Sequence, residues 1–394
     1  VGSRLAVGIS VTWAALAFLG DGLTSLVLPA VLAGMPDPAT SIGLISFAGL
    51  GLALVVMPLA GRVSDYLRGR VDRRAFMAVA AIPALIGLAI LAVSDGRPWL
   101  AAAAYLVAIL AASAIQASLQ TLIPEHVQKP RRGRAASLKT AFDIGGAFVA
   151  FLLLGWALEA SGIAGAAVAS AGVLLLALVL VFVWVPRPVG VSAHEPVGEP
   201  ASTPSGFWPL VLSRFLFLLG IYVVGRFMLL LVAFRLDVPA ASAAAETGGI
   251  LATFTLLTAV TALSFGPLVD RLGRRRVMVA GVLLAAVGTA SFLPDVGLYG
   301  VLIAGGLMSV GTAAFATANW AALTDLSPPQ DAGRLMGLAN LGTGGAAACA
   351  GLVGPSIDTW GFTPALVFAT TAVVVALAPV ARIVPIHRME ESTT

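Results

Sequence analysis

Residues 266–276 read GPLVDRLGRRR, and they decide the fold. One aspartate and four arginines stand between two long apolar runs, at about 247–266 and 276–294. That is the pattern of a chain leaving one membrane span and entering the next. Reading outward, apolar runs bounded by charge, Pro or Gly recur at about 5–33, 42–61, 75–94, 99–123, 135–158 and 163–185. They continue at about 208–234, 298–323, 333–356 and 362–384. Each is near the roughly 20 residues that cross hydrocarbon. Twelve spans follow.

Composition agrees with this reading. Of 394 residues, 59% are hydrophobic and 11% charged, and the mean hydropathy is +0.99. A soluble domain carries about 25% charged residues, which excludes an ordinary cytosolic enzyme. The expected fold is an all-α integral membrane protein. The gap at 186–207, PRPVGVSAHEPVGEPASTPSGF, is rich in Pro, Gly and Ser and reads as a flexible linker. It divides an N-terminal six-helix bundle, 1–185, from a C-terminal one, 208–394.

Arginine and lysine in the loops set the orientation. Arg62, Arg68, Arg70, Arg73 and Arg74 lie after the second span, and Lys129, Arg131, Arg132 and Arg134 after the fourth. Arg271, Arg274, Arg275 and Arg276 follow the eighth, while the opposite side carries Arg97 and Arg235. Both termini and the linker are therefore expected in the cytoplasm, and the chain in a bacterial inner membrane. The net charge of +4 follows from this asymmetry and implies no nucleic-acid partner. One cysteine, Cys349, and three dispersed histidines leave no metal-ligand cluster, and no cofactor is implied. The first apolar run is too long for the core of a cleavable signal.

The halves repeat. GRVSD at 61–65 matches GPLVD at 266–270, and GRAASL at 133–138 matches GRLMGL at 333–338. Glu125 likewise corresponds to Asp325. Parallel repeats of this kind are expected to hold a substrate near mid-membrane, between the halves.

With twelve spans, a repeat and a central linker, GPLVDRLGRRR resembles the signature of the major facilitator superfamily. The resemblance covers essentially the whole chain. It implies two pseudo-symmetric six-helix bundles that rock about a central cavity lined by the first, fourth, seventh and tenth helices. It also implies a conformational gate built from Gly61, Asp65, Gly266, Asp270, Arg271, Gly273 and Arg274. Each motif aspartate would meet a helix N-terminus of the other half, near Gly133 or Gly333, where the dipole favours a carboxylate. The first copy departs from the pattern, with Tyr66 where Arg is expected and the glycine displaced to Gly69. The fifth helix lacks the Gly-Pro-x-x-Gly-Gly pattern of drug/proton antiporters, which weakens a drug-efflux assignment.

A charge at a helix centre costs roughly 2.5–3.5 kcal/mol on insertion scales, so each intramembrane ion invites a functional reading. Asp21 and Arg226 are separated by the same interval as Gly61 and Gly266, which makes them mates under the repeat. They are expected to pair, either as the proton-coupling site or as a static bridge. Lys139 and Asp143, four apart on the fifth helix, can also pair. Arg214 lies near the cytoplasmic interface, placed to snorkel or gate. Candidate cavity residues are Gln116 and Gln120 on one face of the fourth helix, Tyr222 on the seventh, and Thr317, Asn319 and Trp320 on the tenth. Interhelical packing is the alternative for each. Trp99, Trp156 and Trp360 read as interfacial anchors.

GRAASLKT, 133–140, has the outline of a phosphate loop but Leu138 where its second glycine must stand. An ATP-driven pump is thereby rejected. The expectation is a monomeric secondary transporter of a small polar or amphiphilic solute, coupled to protons and bathed in membrane lipid. Sugar-like uptake and export both remain open. The alternatives are a translocator of lipid, drug or another hydrophobic compound, and a non-transporting assembly or sensor protein.

Overall fold

In hydrocarbon a helix satisfies its own backbone, and an apolar chain of this kind has no other open-ended way to do so. The computed structural model of the chain is helical wherever its described residues form regular structure. It describes residues 3–67, 70–126, 132–185, 203–240, 242–294, 297–327 and 332–381.

The first half runs α1 (Val7–Leu32), α2 (Pro38–Tyr66), α3 (Arg73–Ala92) and α4 (Pro98–His126). A single run, Arg132–Trp184, follows, and its backbone breaks at Gly162 with φ 64° and ψ −157°. It therefore makes two crossings, α5 (132–161) and α6 (163–184). In the second half α7 is Phe207–Arg226 with a continuation over Met228–Leu236, α8 is Ala244–Leu272 and α9 is Arg274–Ala290. Then come α10 (Gly297–Asp325), α11 (Ala332–Cys349, prolonged through Gly354–Trp360) and α12 (Phe362–Ala381). Among the described residues ten helices meet the length and apolarity of a span outright; Arg132–Trp184 counts twice, and α9 is shorter at 17 residues. The chain has the twelve-helix architecture expected. Trp99, Trp156 and Trp360 are all exposed, as anchors at an interface would be.

One expectation changes. The two copies of the signature do not sit on loops. Gly61, Asp65 and Tyr66 complete α2, while Gly266 and Asp270 belong to the last turns of α8, which ends only at Gly273 with φ 86°. Hydropathy drops where the chain leaves the bilayer, but backbone hydrogen bonds need no hydrocarbon to persist. A carboxylate in a last helical turn opposes the dipole, and arginines answer it in both copies. Arg73 Nη2 lies 2.6 Å from Asp65 Oδ1, and Arg274 Nη1 3.5 Å from Asp270 Oδ1.

The next arginine in each copy closes its half. Arg74 is buried, bonded to Asp72, and donates to the carbonyl of Val185 at 2.7 Å, just beyond the end of α6. Arg275 donates to the carbonyl of Ala381, the last residue of α12, at 3.2 Å. Helix C-termini leave carbonyls unpaired, and the third helix of each half supplies the missing donor for its sixth.

The described residues pack as two compact units. One holds those of 1–192 together with Arg226–Leu256; the other holds those of 193–225 and 257–394. The division runs through α7 and α8, although the sequence suggests the linker, of which 186–202 lie outside the described residues. In the first unit α5 and α8 meet backbone to backbone. A Cβ on Gly155 would fall 3.2 Å from the Cα of Gly248, and one on Gly248 would strike the carbonyl of Phe151. Only glycines allow that approach. In the second unit Phe217 of α7 stacks on Phe315 of α10 with ring centroids 4.0 Å apart.

Candidate functional site

In the first unit the polar layer grows from a distortion of α1. Residues Leu23–Val27 form a π turn in which the N–H of Leu28 donates to Leu23. In regular α geometry that N–H would serve Thr24, and the next donor along is missing because residue 29 is proline. The Thr24 carbonyl is thus left open inside the membrane, where an unpaired group is costly. Arg226, buried, directs Nη1 at it at 3.5 Å. The Thr24 hydroxyl is 3.0 Å from the hydroxyl of the buried Tyr105 on α4. Single π turns of this kind occur frequently at functional sites.

Asp21 stands two residues before the distortion and is exposed although it lies well inside its span. The charges within its electrostatic reach are Asp143 and Arg226. On α5, Lys139 Nζ approaches Asp143 Oδ2 at 3.3 Å and lies 4.0 Å from the centre of the Trp13 ring. The charges group as one layer across α1, α5 and the end of α7.

The second unit has its own polar layer. Arg214 of α7 donates from Nε to Thr343 Oγ1 of α11 at 2.7 Å and from Nη1 to Asn319 Oδ1 of α10 at 3.3 Å. Its guanidinium carbon lies 5.1 Å from the centre of the Trp320 ring. Asn319, fully buried, donates to the Leu210 carbonyl at 3.1 Å and to Ser213 Oγ at 3.4 Å. The amide has that orientation because the reverse would set donor against donor at Arg214. Tyr222 is the titratable group within electrostatic reach of Arg214.

The remaining candidates are dispersed. Gln116 is half-buried with no hydrogen bond among the described residues, and exposed Gln120 leans on Met57 Sδ at 3.6 Å. Thr317 is half-buried and likewise without a hydrogen bond among the described residues. Gly61 and Gly266 face open space where a Cβ would stand, and Arg271 is exposed. Arg274 also reaches Asp325 Oδ2 at 2.9 Å, which joins the signature to the end of α10. Sequence reading missed Thr24, Tyr105 and Thr343 as members of these layers. Pro29 was the available signal for the first, since a proline within a span frees a carbonyl. Thr343 carried none, because a hydroxyl among small residues reads as packing.

The first unit also holds a cavity of about 470 Å³ with an apolar lining, bounded by Ala14 and Phe18 of α1, Phe142 and Gly145 of α5, and Leu176 and Ala177 of α6.

The chain matches the family model described as Major Facilitator Superfamily over residues 12–244 and again over 210–393. No curated protein matches it. Among solved structures it is similar to a bacterial homologue of the iron transporter ferroportin in the inward-facing state, with TM-score 0.69 and 16% identity over 97% of this chain and 99% of that one. A bacterial homologue of the human lysosomal transporter Spinster gives 0.72 and 15%, over 96% and 95%. The nucleoside transporter NupG gives 0.68 and 17%, over 96% and 98%. At these identities the likenesses establish the fold and leave the cargo open. Together the two matches to this family model cover nearly the whole chain: this chain belongs to the major facilitator superfamily and is a multi-pass membrane transporter, not an enzyme.

Proposed function

We propose that the chain is a proton-coupled secondary transporter of a bacterial cytoplasmic membrane, moving a small polar or amphiphilic solute by alternating access. Both termini face the cytoplasm in this reading. The observation that carries it is Asp21, an exposed carboxylate deep in a span, beside a π turn and in the field of Arg226 and Asp143. A carboxylate whose cationic neighbour approaches in one conformation and withdraws in another changes its proton affinity between them. That difference couples a gradient to movement, because a ligand shifts a conformational equilibrium only through differential binding. Asp65 and Asp270, exposed on their last helical turns, serve as the latches of the outward-facing state.

The test begins with a solute retained from a thermal-shift screen, followed in proteoliposomes. Asp21→Asn should abolish accumulation driven by a pH gradient while sparing solute exchange down its own gradient. Undiminished accumulation would reduce Asp21 to a structural role. The apolar cavity beside α5 favours a second reading, movement of a lipid or other hydrophobic compound. A screen in which lipids and apolar drugs alone raise the melting temperature would select it.

A further inference from the structure

Arg214 is a cation inside a span with neutral partners only. It lies about 10 Å along α7 from Phe207 and is half-buried. Among the described residues of its unit the acids are Asp270, Asp325 and Asp358. The first two attend Arg274, and Asp358 sits in the last turns of α11, beyond Gly354. None lies within ion-pair distance of Arg214. A buried cation without a counter-charge is costly, and a side chain near an interface would ordinarily extend out to water. Here it is held in. Thr343 takes Nε, Asn319 takes Nη1, and the face of Trp320 lies alongside. Asn319 is itself fixed by Leu210 and Ser213. A guanidinium has five N–H donors, and these partners use two. Nη2 remains accessible, with no protein acceptor among the described residues.

We infer that Arg214 is the receptor for an oxyanion, and that the solute is an organic anion whose carboxylate or phosphate docks on its open edge while its apolar part lies against Trp320. The planar fork suits both groups, which it binds through paired hydrogen bonds. Trp320 is 39% exposed, so its ring offers surface as well as support. Asn319 and Thr343 act as positioning residues: they hold the fork and touch no solute. The inference rests on the transport reading only in taking the bound anion as cargo; oxyanion binding requires no proton coupling.

The experiment is therefore one of binding. Benzoate, phenyl phosphate and uncharged benzamide are titrated into the full chain in phosphatidylcholine nanodiscs at constant ionic strength, and tryptophan fluorescence and melting temperature are read together. At least one of the two anions should saturate and benzamide should not. Arg214→Gln should weaken that binding about tenfold or more, the loss of a hydrogen bond to a charged group, and should melt no lower than the unaltered chain because it removes an uncompensated charge. Thr343→Val, which removes only the oxygen that aims Nε, should weaken it several-fold and serves as the second variant if Arg214→Gln fails to fold. Trp320→Phe should keep the anion-induced rise in melting temperature and lose the fluorescence change. Phosphatidylglycerol in the nanodisc that competes with phenyl phosphate would show that a lipid headgroup reaches the same receptor. Absence of saturation by either anion, equal binding of benzamide, or anion affinity unchanged in both Arg214→Gln and Thr343→Val would overturn the inference. Failure of Asp21→Asn to impair gradient-driven transport would leave it standing.

Discussion

Arg74 and Arg275 make the same bond in the two halves, yet one is buried and the other exposed. A buried charged donor whose acceptor also loses its partner costs about 1.5–3 kcal/mol to remove, and an exposed one under about 1 kcal/mol. Arg74→Ala should therefore lower the melting temperature of the detergent-purified protein clearly, and Arg275→Ala barely. Equal effects would mean that burial does not govern this bond. A second residue-scale prediction separates the two glutamines of α4. Gln116 has an amide with no protein acceptor or donor to replace, whereas Gln120 already leans on Met57. Gln116→Leu should cost more of the solute-induced thermal shift than Gln120→Leu, with both proteins melting near the unaltered chain. Arg214 marks how far sequence reaches at this scale. Its charge is plain in the chain, but the convergence of Thr343 and Asn319 upon it depends on three helices whose packing no spacing encodes.

The elements were legible from hydropathy, since an apolar run of span length has few alternatives. Their ends and irregularities were not. Helices α2 and α8 continue past the last apolar residue into the signature, whereas the turn between α5 and α6 at Gly162 falls in the gap between the apolar runs at 135–158 and 163–185. The π turn of α1 is legible only in retrospect, from Pro29. It gives a prediction of its own. Pro29→Ala returns a backbone donor and lets α1 wind as a regular helix, so that the N–H of Leu28 takes the Thr24 carbonyl and Arg226 loses its place there. Proline inside a helix costs about 3 kcal/mol relative to alanine, so the variant should melt at or above the unaltered protein. Gradient-driven uptake should nonetheless fall. A variant that is both more stable and fully active would show that the distortion serves no function.

For the molecule as a whole, the repeat of GRVSD and GPLVD announces two related halves, but it says nothing of which residues of each pack together. The compact units cross that boundary at α7 and α8, and the glycine crossing of α5 with α8 lies inside the first of them. Gly248→Ala sets a methyl against the Phe151 carbonyl and drives the two helices apart, so it should lower the melting temperature of the purified protein by the equivalent of about 1–3 kcal/mol, as overpacking does. A variant that melts with the unaltered chain would show that the crossing does not hold the two helices together. The two arginine clamps carry a different consequence. Each half ends where a residue of its own third helix catches its last carbonyl, so neither clamp reaches across the linker. A cut between 186 and 202 breaks neither clamp. Two polypeptides produced side by side, one ending and the other starting in that interval, should find each other through the glycine crossing and transport as the intact chain does, two halves working as one without a shared backbone.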